Sequence, residues 1–223
     1  MAYDTSSPHI AAGVPLLRQG RFLEALACFE AFVREEPGNV LSWNFKGLAL
    51  RGLSRFDEAV SCFNQALKLA PDDAPTFGNL GRTLHDGRSY EAAIRAFDRY
   101  LAAKPSSDGW NFKGSCLAKL KRPKEALVCF GKAIELNPGK ADYWSNKGAA
   151  HADLGAFEDA IACYREATKL DPGFAAAWYN RAEAEEGLGR KEAAMESLRK
   201  FLSLSPIGME SAVADARERL GTN

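Results

Sequence analysis

The sequence lacks the features that mark secreted, membrane-spanning and polyanion-binding proteins. Its 29 basic and 29 acidic residues cancel, whereas chains that bind nucleic acid usually carry a basic excess, so the balance weighs against nucleic acid as a partner. The opening MAYDTSSPHIAAG shows neither the charged start nor the apolar run of a signal peptide. No segment reaches the roughly 18 unbroken apolar residues of a membrane span. These absences predict a cytoplasmic protein with no membrane partner.

Motifs of catalysis and cofactor binding are missing as well. The three histidines, His9, His85 and His151, are far apart in the chain and have no ligand partner at a metal-site spacing. The chain contains no GxxxxGK[ST] phosphate loop and no GxSxG nucleophile motif. We therefore expect no enzyme activity, no catalytic residue, no cofactor and no metal site.

The five cysteines do not follow a disulfide pattern. Cys28, Cys62, Cys129 and Cys163 each precede an aromatic residue, at spacings of 34, 67 and 34. A disulfide requires Cα atoms within about 7 Å, whereas stacked helices lie about 8–10 Å apart. The pattern predicts small buried thiols, and Cys116 is interpreted in the same way.

A period of about 34 residues organises the chain. Prolines recur at steps of 34, 34, 33, 34 and 34, and each is preceded at fixed distances by an alanine, a bulky side chain and a very small residue. The prolines are Pro37, Pro71, Pro105, Pro138, Pro172 and Pro206. The bulky side chains, eight residues earlier, are Phe29, Phe63, Phe97, Phe130, Tyr164 and Leu198. The small residues, 24 earlier, are Gly13, Gly47, Gly81, Gly114, Gly148 and Ala182. All four tryptophans lie four residues before one of these small residues.

This spacing resembles the tetratricopeptide repeat family. The resemblance implies an all-α fold, a right-handed superhelical solenoid of antiparallel helix pairs, here named helix A and helix B. It covers six units, 6–39, 40–73, 74–106, 107–140, 141–174 and 175–208, between a tail at 1–5 and a capping helix and tail at 209–223. Repeat positions 1–34 are counted from the first residue of each unit.

Helical periodicity supports the same arrangement. Positions 4, 7–8 and 11 share one stripe of helix A, and positions 17, 20–21, 24 and 27–28 share one stripe of helix B. Small residues at positions 8 and 20 let the two helices approach, and a larger residue there would cost about 1–3 kcal/mol. Pro15, late in the first helix A, is expected to kink or shorten it.

The face of helix A opposite the core carries the candidate binding residues. In the family this face lines a concave groove that holds partner segments. An asparagine amide can both donate to and accept from an extended peptide backbone; alternatively, asparagine is only the residue usual for the family there. The candidates are Asn44, Phe45, Asn79, Arg82, Asn111, Phe112, Asn146, Tyr179, Asn180 and Glu183.

The motif WNFKG, at 43–47 and 110–114, leaves two interpretations of its phenylalanine open. Phe45 and Phe112 are either exposed anchors for a partner side chain or rings packed against the aromatic residues Phe32 and Tyr100 of the preceding units. Charge also changes along the face. It carries arginines in units one to three and the acidic residues Asp142, Asp153, Glu183 and Glu186 in units five and six.

The sequence thus predicts a non-catalytic adaptor that binds another protein or a peptide segment in the groove. The alternative is a structural scaffold that self-associates into a dimer or filament, so a homo-oligomer is also considered.

Overall fold

The computed structural model describes residues 7–204 and 206–222. Across these residues the regular secondary structure consists of thirteen α-helices, with no strand. The helices are α1 Pro8–Arg18, α2 Phe22–Glu35, α3 Val40–Gly52, α4 Phe56–Leu69, α5 Ala74–Asp86, α6 Tyr90–Ala103, α7 Ser107–Lys119, α8 Pro123–Leu136, α9 Ala141–Ala152, α10 Phe157–Leu170, α11 Ala175–Gly187, α12 Lys191–Ser203 and α13 Glu210–Leu220. The expected tail at 1–5 and the first residue of unit one, Ser6, lie outside the described part of the chain.

The chain divides into two compact units, Met1–Pro105 with α1–α6 and Ser106–Asn223 with α7–α13. Within each unit, odd-numbered A helices pair with the B helices that follow them, and each B helix packs on the next A helix. Adjacent A helices also contact each other, α1 with α3, α3 with α5, α7 with α9 and α9 with α11. No two B helices among the described residues approach as closely. The A helices therefore form the more tightly spaced layer of each unit.

A glycine under an aromatic ring makes the joint between helices A and B. A Cβ added to Gly47 would lie 2.7 Å from Cζ of Phe63, and one added to Gly148 would lie 2.8 Å from Cε1 of Tyr164. The Phe63 ring is fully buried, so close packing around it leaves no space into which it could move. Repeat six replaces this pair by Ala182 and Leu198, both buried. The expected close approach at position 8 is confirmed.

The turn between helices A and B uses one backbone conformation in every repeat. Repeat position 15 has a positive φ in all six repeats, and only repeats one, five and six have glycine there. The residues are Gly20, Ser54, Arg88, Lys121, Gly155 and Gly189, with φ of 73°, 58°, 61°, 59°, 73° and 70°. Because a side chain in this region crowds the backbone, the three non-glycine positions carry local strain.

Side-chain hydrogen bonds cap the N-termini of several A helices. Asn39 Oδ1 accepts from the backbone N–H of Leu41 at 2.9 Å, and Asp73 Oδ2 accepts from that of Thr76 at 2.9 Å. Each cap satisfies a backbone donor that the first helical turn leaves unpaired. In α1 the helix continues for three residues beyond Pro15.

The cysteines are all free, and Cys62, Cys116, Cys129 and Cys163 are buried while Cys28 is half-buried. This confirms buried thiols at four of the five positions. Burial raises the pKa of the Cys116 thiol to about 12, which keeps it protonated and unreactive. Within the described residues, no helix has the length and apolar character needed to cross a membrane.

Candidate interaction face

In the first compact unit, residues 1–105, side-chain hydrogen bonds connect neighbouring A helices. Asn44 is 6% exposed, and its Nδ2 donates to the Val40 carbonyl at 3.1 Å and to Thr76 Oγ1 at 2.6 Å. Its Oδ1 accepts a long contact, 3.5 Å, from Nδ2 of half-buried Asn79. Asn44 thus bridges α3 and α5, which corrects the expectation that its amide is available to a partner. Position 5 turns toward the neighbouring A helix rather than toward the open face.

Phe45 is half-buried and stacked on the preceding repeat. Its ring lies parallel to that of Phe29, with centroids 5.1 Å apart and an interplanar angle of 16°. The expected partner Phe32 stacks instead on His9, at 5.5 Å. The packing interpretation therefore describes Phe45, but its neighbour is Phe29, at repeat position 24, rather than Phe32. For half-buried Phe112 the two interpretations remain open.

In the second compact unit, residues 106–223, the asparagines at repeat positions 5 and 6 form a shorter hydrogen bond. Asn146 Nδ2 on α9 donates to Asn111 Oδ1 on α7 at 2.9 Å, and both residues are half-buried. The equivalent residue on α11, Asn180, is also half-buried, but its amide bonds to no described residue. The position-5 residue that it would face is Ser145, whose shorter side chain is buried. Asn180 is therefore the asparagine of this face with an unoccupied amide.

A polar cluster joins α11 to α13. The Tyr179 hydroxyl donates to Asp215 Oδ2 at 2.9 Å, and Arg219 pairs with Asp215 at 2.7 Å and with Glu186 at 2.6 Å. Burial, followed by the hydrogen bond to Asp215, raises the pKa of Tyr179 to about 12. Tyr179 therefore holds the last helix in place rather than presenting its hydroxyl to a partner.

The charge of the face differs from the sequence expectation in the first compact unit. Arg51 donates to Asp86 Oδ2 at 2.7 Å, so one of its arginines is neutralised within the chain. Arg82, on α5, is half-buried. In the second compact unit, Glu183 is exposed and forms no ion pair with a described residue. Partial burial of its carboxyl group raises its pKa; the Arg219 guanidinium opposes this, and the nearby Asp215 and Glu186 carboxylates add to it.

Tyr164, a core residue in the repeat alignment, packs against the A helices α9 and α11. Its side chain is 2% exposed, and its ring packs under Gly148 of α9 and in a cluster with Ala184 of α11. No described residue hydrogen-bonds to its hydroxyl. Four of the other five repeats have phenylalanine here, so packing alone does not require that hydroxyl. That contrast is visible in the repeat alignment.

The histidines show no constellation for catalysis. His9 contacts Glu35, His85 contacts its neighbour Asp86, and His151 lies 3.9 Å from Asp159. Among the described residues, no group of three or more histidine, cysteine or acidic side chains could hold a metal ion.

Family models give the decisive comparison. Models described as tetratricopeptide repeat match residues 10–74, 107–140, 141–174 and 175–207. The chain belongs to the tetratricopeptide repeat family. The predicted all-α fold and the family resemblance are thereby confirmed, and the family's repeats characterise protein–protein interaction modules. No curated protein sequence matches the chain.

Solved tetratricopeptide repeat structures resemble the chain over most of its length. MamA is 26% identical, with a TM-score of 0.68 over 71% of this chain and 94% of MamA. YrrB, described as a tetratricopeptide repeat protein with an unusual peptide-binding site, is 25% identical, with a TM-score of 0.69 over 85% of this chain and 97% of YrrB. PilW, described as a type IV pilus biogenesis factor, has a TM-score of 0.85 over 96% of this chain and 99% of PilW. At 21% identity, PilW supports the fold alone.

Proposed function

We propose that this chain is a non-catalytic adaptor whose A-helix face in the second compact unit binds an extended segment of another protein. The main support is Asn180, on a face formed by α7, α9 and α11, because neither hydrogen-bonding group of its half-buried amide pairs with a described residue. An amide in that state can pair with a peptide N–H and a peptide carbonyl at once. Peptide binding by YrrB makes the same activity reasonable here.

Asn111 and Asn146 contribute next to Asn180. The bond between them uses one N–H of Asn146 and one lone pair of Asn111 Oδ1, so each amide keeps further capacity for a peptide. Glu183 lies one turn beyond Asn180 on α11 and adds charge. In the first compact unit the proposal extends to Asn79 and Arg82, and in the second to Phe112.

Affinity capture from lysate of the source cells tests this function. Wild type is compared with Asn146→Ala/Asn180→Ala, and the matched control is Asn64→Ala, an exposed asparagine on the B helix α4. We expect a protein retained by wild type and by the control variant and lost by the double variant, with all three giving the same circular dichroism. A protein retained equally by all three would place the binding site elsewhere.

A second candidate, self-association, is favoured by Leu23. This leucine is 69% exposed on α2, at repeat position 18, where the five other repeats carry Asp57, Glu91, Lys124, Glu158 and Glu192. The candidate rests on this one exposed apolar side chain at a position that the other repeats keep charged. Light scattering on variants of Leu23 separates this scaffold function from the adaptor function.

A further inference from the structure

An open cavity of about 430 Å³ lies between α9 and α10 of repeat five, and is here named the α9–α10 cavity. On α9 it is lined at repeat positions 4, 7 and 11, the stripe opposite the candidate interaction face. It is therefore separate from the asparagines of that face. Its aromatic and ionisable lining consists of Trp144, Lys147, His151, Asp159, Arg165 and Glu166.

Two cations of this cavity have no acidic partner. Neither Lys147 nor Arg165 forms an ion pair with a described residue. Of the two carboxylates in the lining, Glu166 pairs with a lysine outside it at 3.3 Å, and exposed Asp159 lies 3.9 Å from a histidine ring. The cavity thus contains an ammonium and a guanidinium group whose charges the described part of the chain leaves unpaired.

The equivalent lysine of repeat two shows which group such a site accepts. Lys46, at repeat position 7 like Lys147, has its ammonium 3.6 Å from the carboxylate of Glu30. Glu30 lies on helix B of the preceding repeat, at position 25. In the repeat that precedes Lys147, position 25 is Gly131, and a Cβ added there would meet no described atom outside its own helix within 4 Å. Lys147 therefore lacks the carboxylate that the chain supplies to Lys46, and the space beside Gly131 is open.

Trp144 holds Lys147 at the cavity. The indole N–H of Trp144 donates to the Pro138 carbonyl at 2.9 Å, which fixes the ring, and the Lys147 ammonium lies 5.9 Å from the ring centroid. Lys147 is half-buried. Its ammonium is therefore partly removed from water, where its attraction to an anion is stronger than that of a fully exposed lysine.

We propose that the α9–α10 cavity binds the carboxylate of an aspartate or glutamate side chain in an acidic segment of a partner protein, with Lys147 and Arg165 as its cations. The bound carboxylate would reproduce the contact that Glu30 makes with Lys46 within the chain. The two carboxylates in the lining disfavour a doubly charged phosphate, because their repulsion grows with the charge of the ligand. This site goes beyond the proposed peptide face and gives the second compact unit another binding surface.

An acidic peptide is the direct probe. Acetyl-Gly-Glu-Glu-Gly-amide is titrated into the 15N-labelled full chain at low ionic strength, and backbone amide shifts are followed by two-dimensional NMR. The uncharged peptide acetyl-Gly-Gln-Gln-Gly-amide is the control ligand. We expect saturable shifts centred on residues 144–151 and 159–166 with the glutamate peptide and none with the glutamine peptide. Equal shifts with both peptides, no saturable shift, or tighter binding of inorganic phosphate at the same residues would overturn the proposal.

Gly131 offers a variant that fills the site from within the chain. Gly131→Glu places a carboxylate at the position of Glu30 and should weaken the glutamate peptide at least about fivefold. The matched control Gly131→Gln has a side chain of the same length without the charge and should change the affinity less than about twofold. Both variants replace a glycine inside α8 at an open position, so they are expected to fold. Equal effects of the two would contradict a carboxylate site.

The two cations are tested by neutral substitutions. Lys147→Gln should weaken the glutamate peptide at least about fivefold, and Arg165→Gln, at an exposed residue, by about two- to fivefold. The control Lys68→Gln, at an exposed lysine on α4, should leave binding unchanged. Full affinity in Lys147→Gln, or an equal loss in the control, would show that the peptide binds through general charge attraction rather than in the cavity.

The outcome is separable from that of the adaptor function. If the glutamate peptide fails to bind while Asn146→Ala/Asn180→Ala still abolishes capture of a partner, only the carboxylate site is wrong. If the peptide binds in the cavity and capture does not depend on the asparagines, the carboxylate site is supported and the proposed peptide face is not.

Discussion

Asn146 donates a side-chain hydrogen bond to Asn111 at 2.9 Å, whereas Asn180, at the same repeat position, bonds to no described residue. The first amide contributes to the packing of α9 on α7, and the second does not stabilise α11. Asn146→Ala should therefore lower the free energy of unfolding by about 1 kcal/mol and Asn180→Ala by less than about 0.5 kcal/mol. Urea unfolding followed by circular dichroism measures both. Equal losses would show that the two asparagines are equivalent.

Gly47 and Phe63 give a packing prediction with an internal rescue. Gly47→Ala places a methyl group against a fully buried ring and should cost about 1–3 kcal/mol. Adding Phe63→Leu reproduces the pair Ala182 and Leu198 of repeat six. The double variant should then lose less stability than the sum of the two single variants, because the leucine makes room for the methyl group. Simple additivity in urea unfolding would refute the proposed steric conflict.

Lys121 occupies a backbone conformation that favours glycine. Its φ is 59°, and the equivalent residues Gly20, Gly155 and Gly189 have similar values. Lys121→Gly removes strain of about 1 kcal/mol, partly offset by the larger entropy of glycine in the unfolded chain. We expect a net gain of about 0.5 kcal/mol in thermal or urea unfolding. The control Lys124→Gly, in the first turn of α8, should instead destabilise by about 0.5–1 kcal/mol.

The repeat period explains why most of the fold was predictable. Gly47, Trp43 and the position-32 prolines each serve local packing or helix termination, so their spacing indicates where helices meet and end. Helices α3, α5, α7, α9 and α11 begin at the residues from which units two to six were counted.

The side-chain contacts of the candidate face were less predictable because they form between repeats. The period places Asn44 and Asn180 at neighbouring positions of the same face. Only the structure shows that Thr76 accepts from the Asn44 amide, while Asn180 has no hydrogen-bond partner among the described residues.

Alkaline pH should reveal the environment of Tyr143. Burial and its hydrogen bond to Asp108 raise the pKa of the Tyr143 hydroxyl to about 12. In the unfolded chain this pKa is about 10, so above that pH the unfolded state binds fewer protons than the folded state. Stability from this group is therefore complete below about pH 10 and lost as the pH rises toward 12.

Tyr143→Phe tests that sign directly. The variant should be less stable than wild type near neutral pH because it lacks the hydrogen bond, and the difference should narrow as the pH rises above about 10. Urea midpoints across that range measure the difference. Tyr179, with its pKa also raised to about 12, leaves a residual alkaline loss in both proteins. A difference that widens at high pH would show that the hydroxyl ionises more readily in the folded chain.

Leu23 decides between an adaptor and a self-associating scaffold. If its exposed side chain joins two copies, light scattering during size-exclusion chromatography should give a mass above 24.3 kDa that rises with protein concentration. Leu23→Glu, which restores the charge found at this position in other repeats, should return the protein to the monomer mass. A surface substitution of this kind should change the free energy of unfolding by less than about 0.5 kcal/mol, so dissociation cannot be attributed to unfolding. The matched substitution Val128→Glu, at a valine that is 60% exposed on α8, should leave the mass unchanged. A wild-type mass of one chain at every concentration would remove the scaffold function and leave the adaptor.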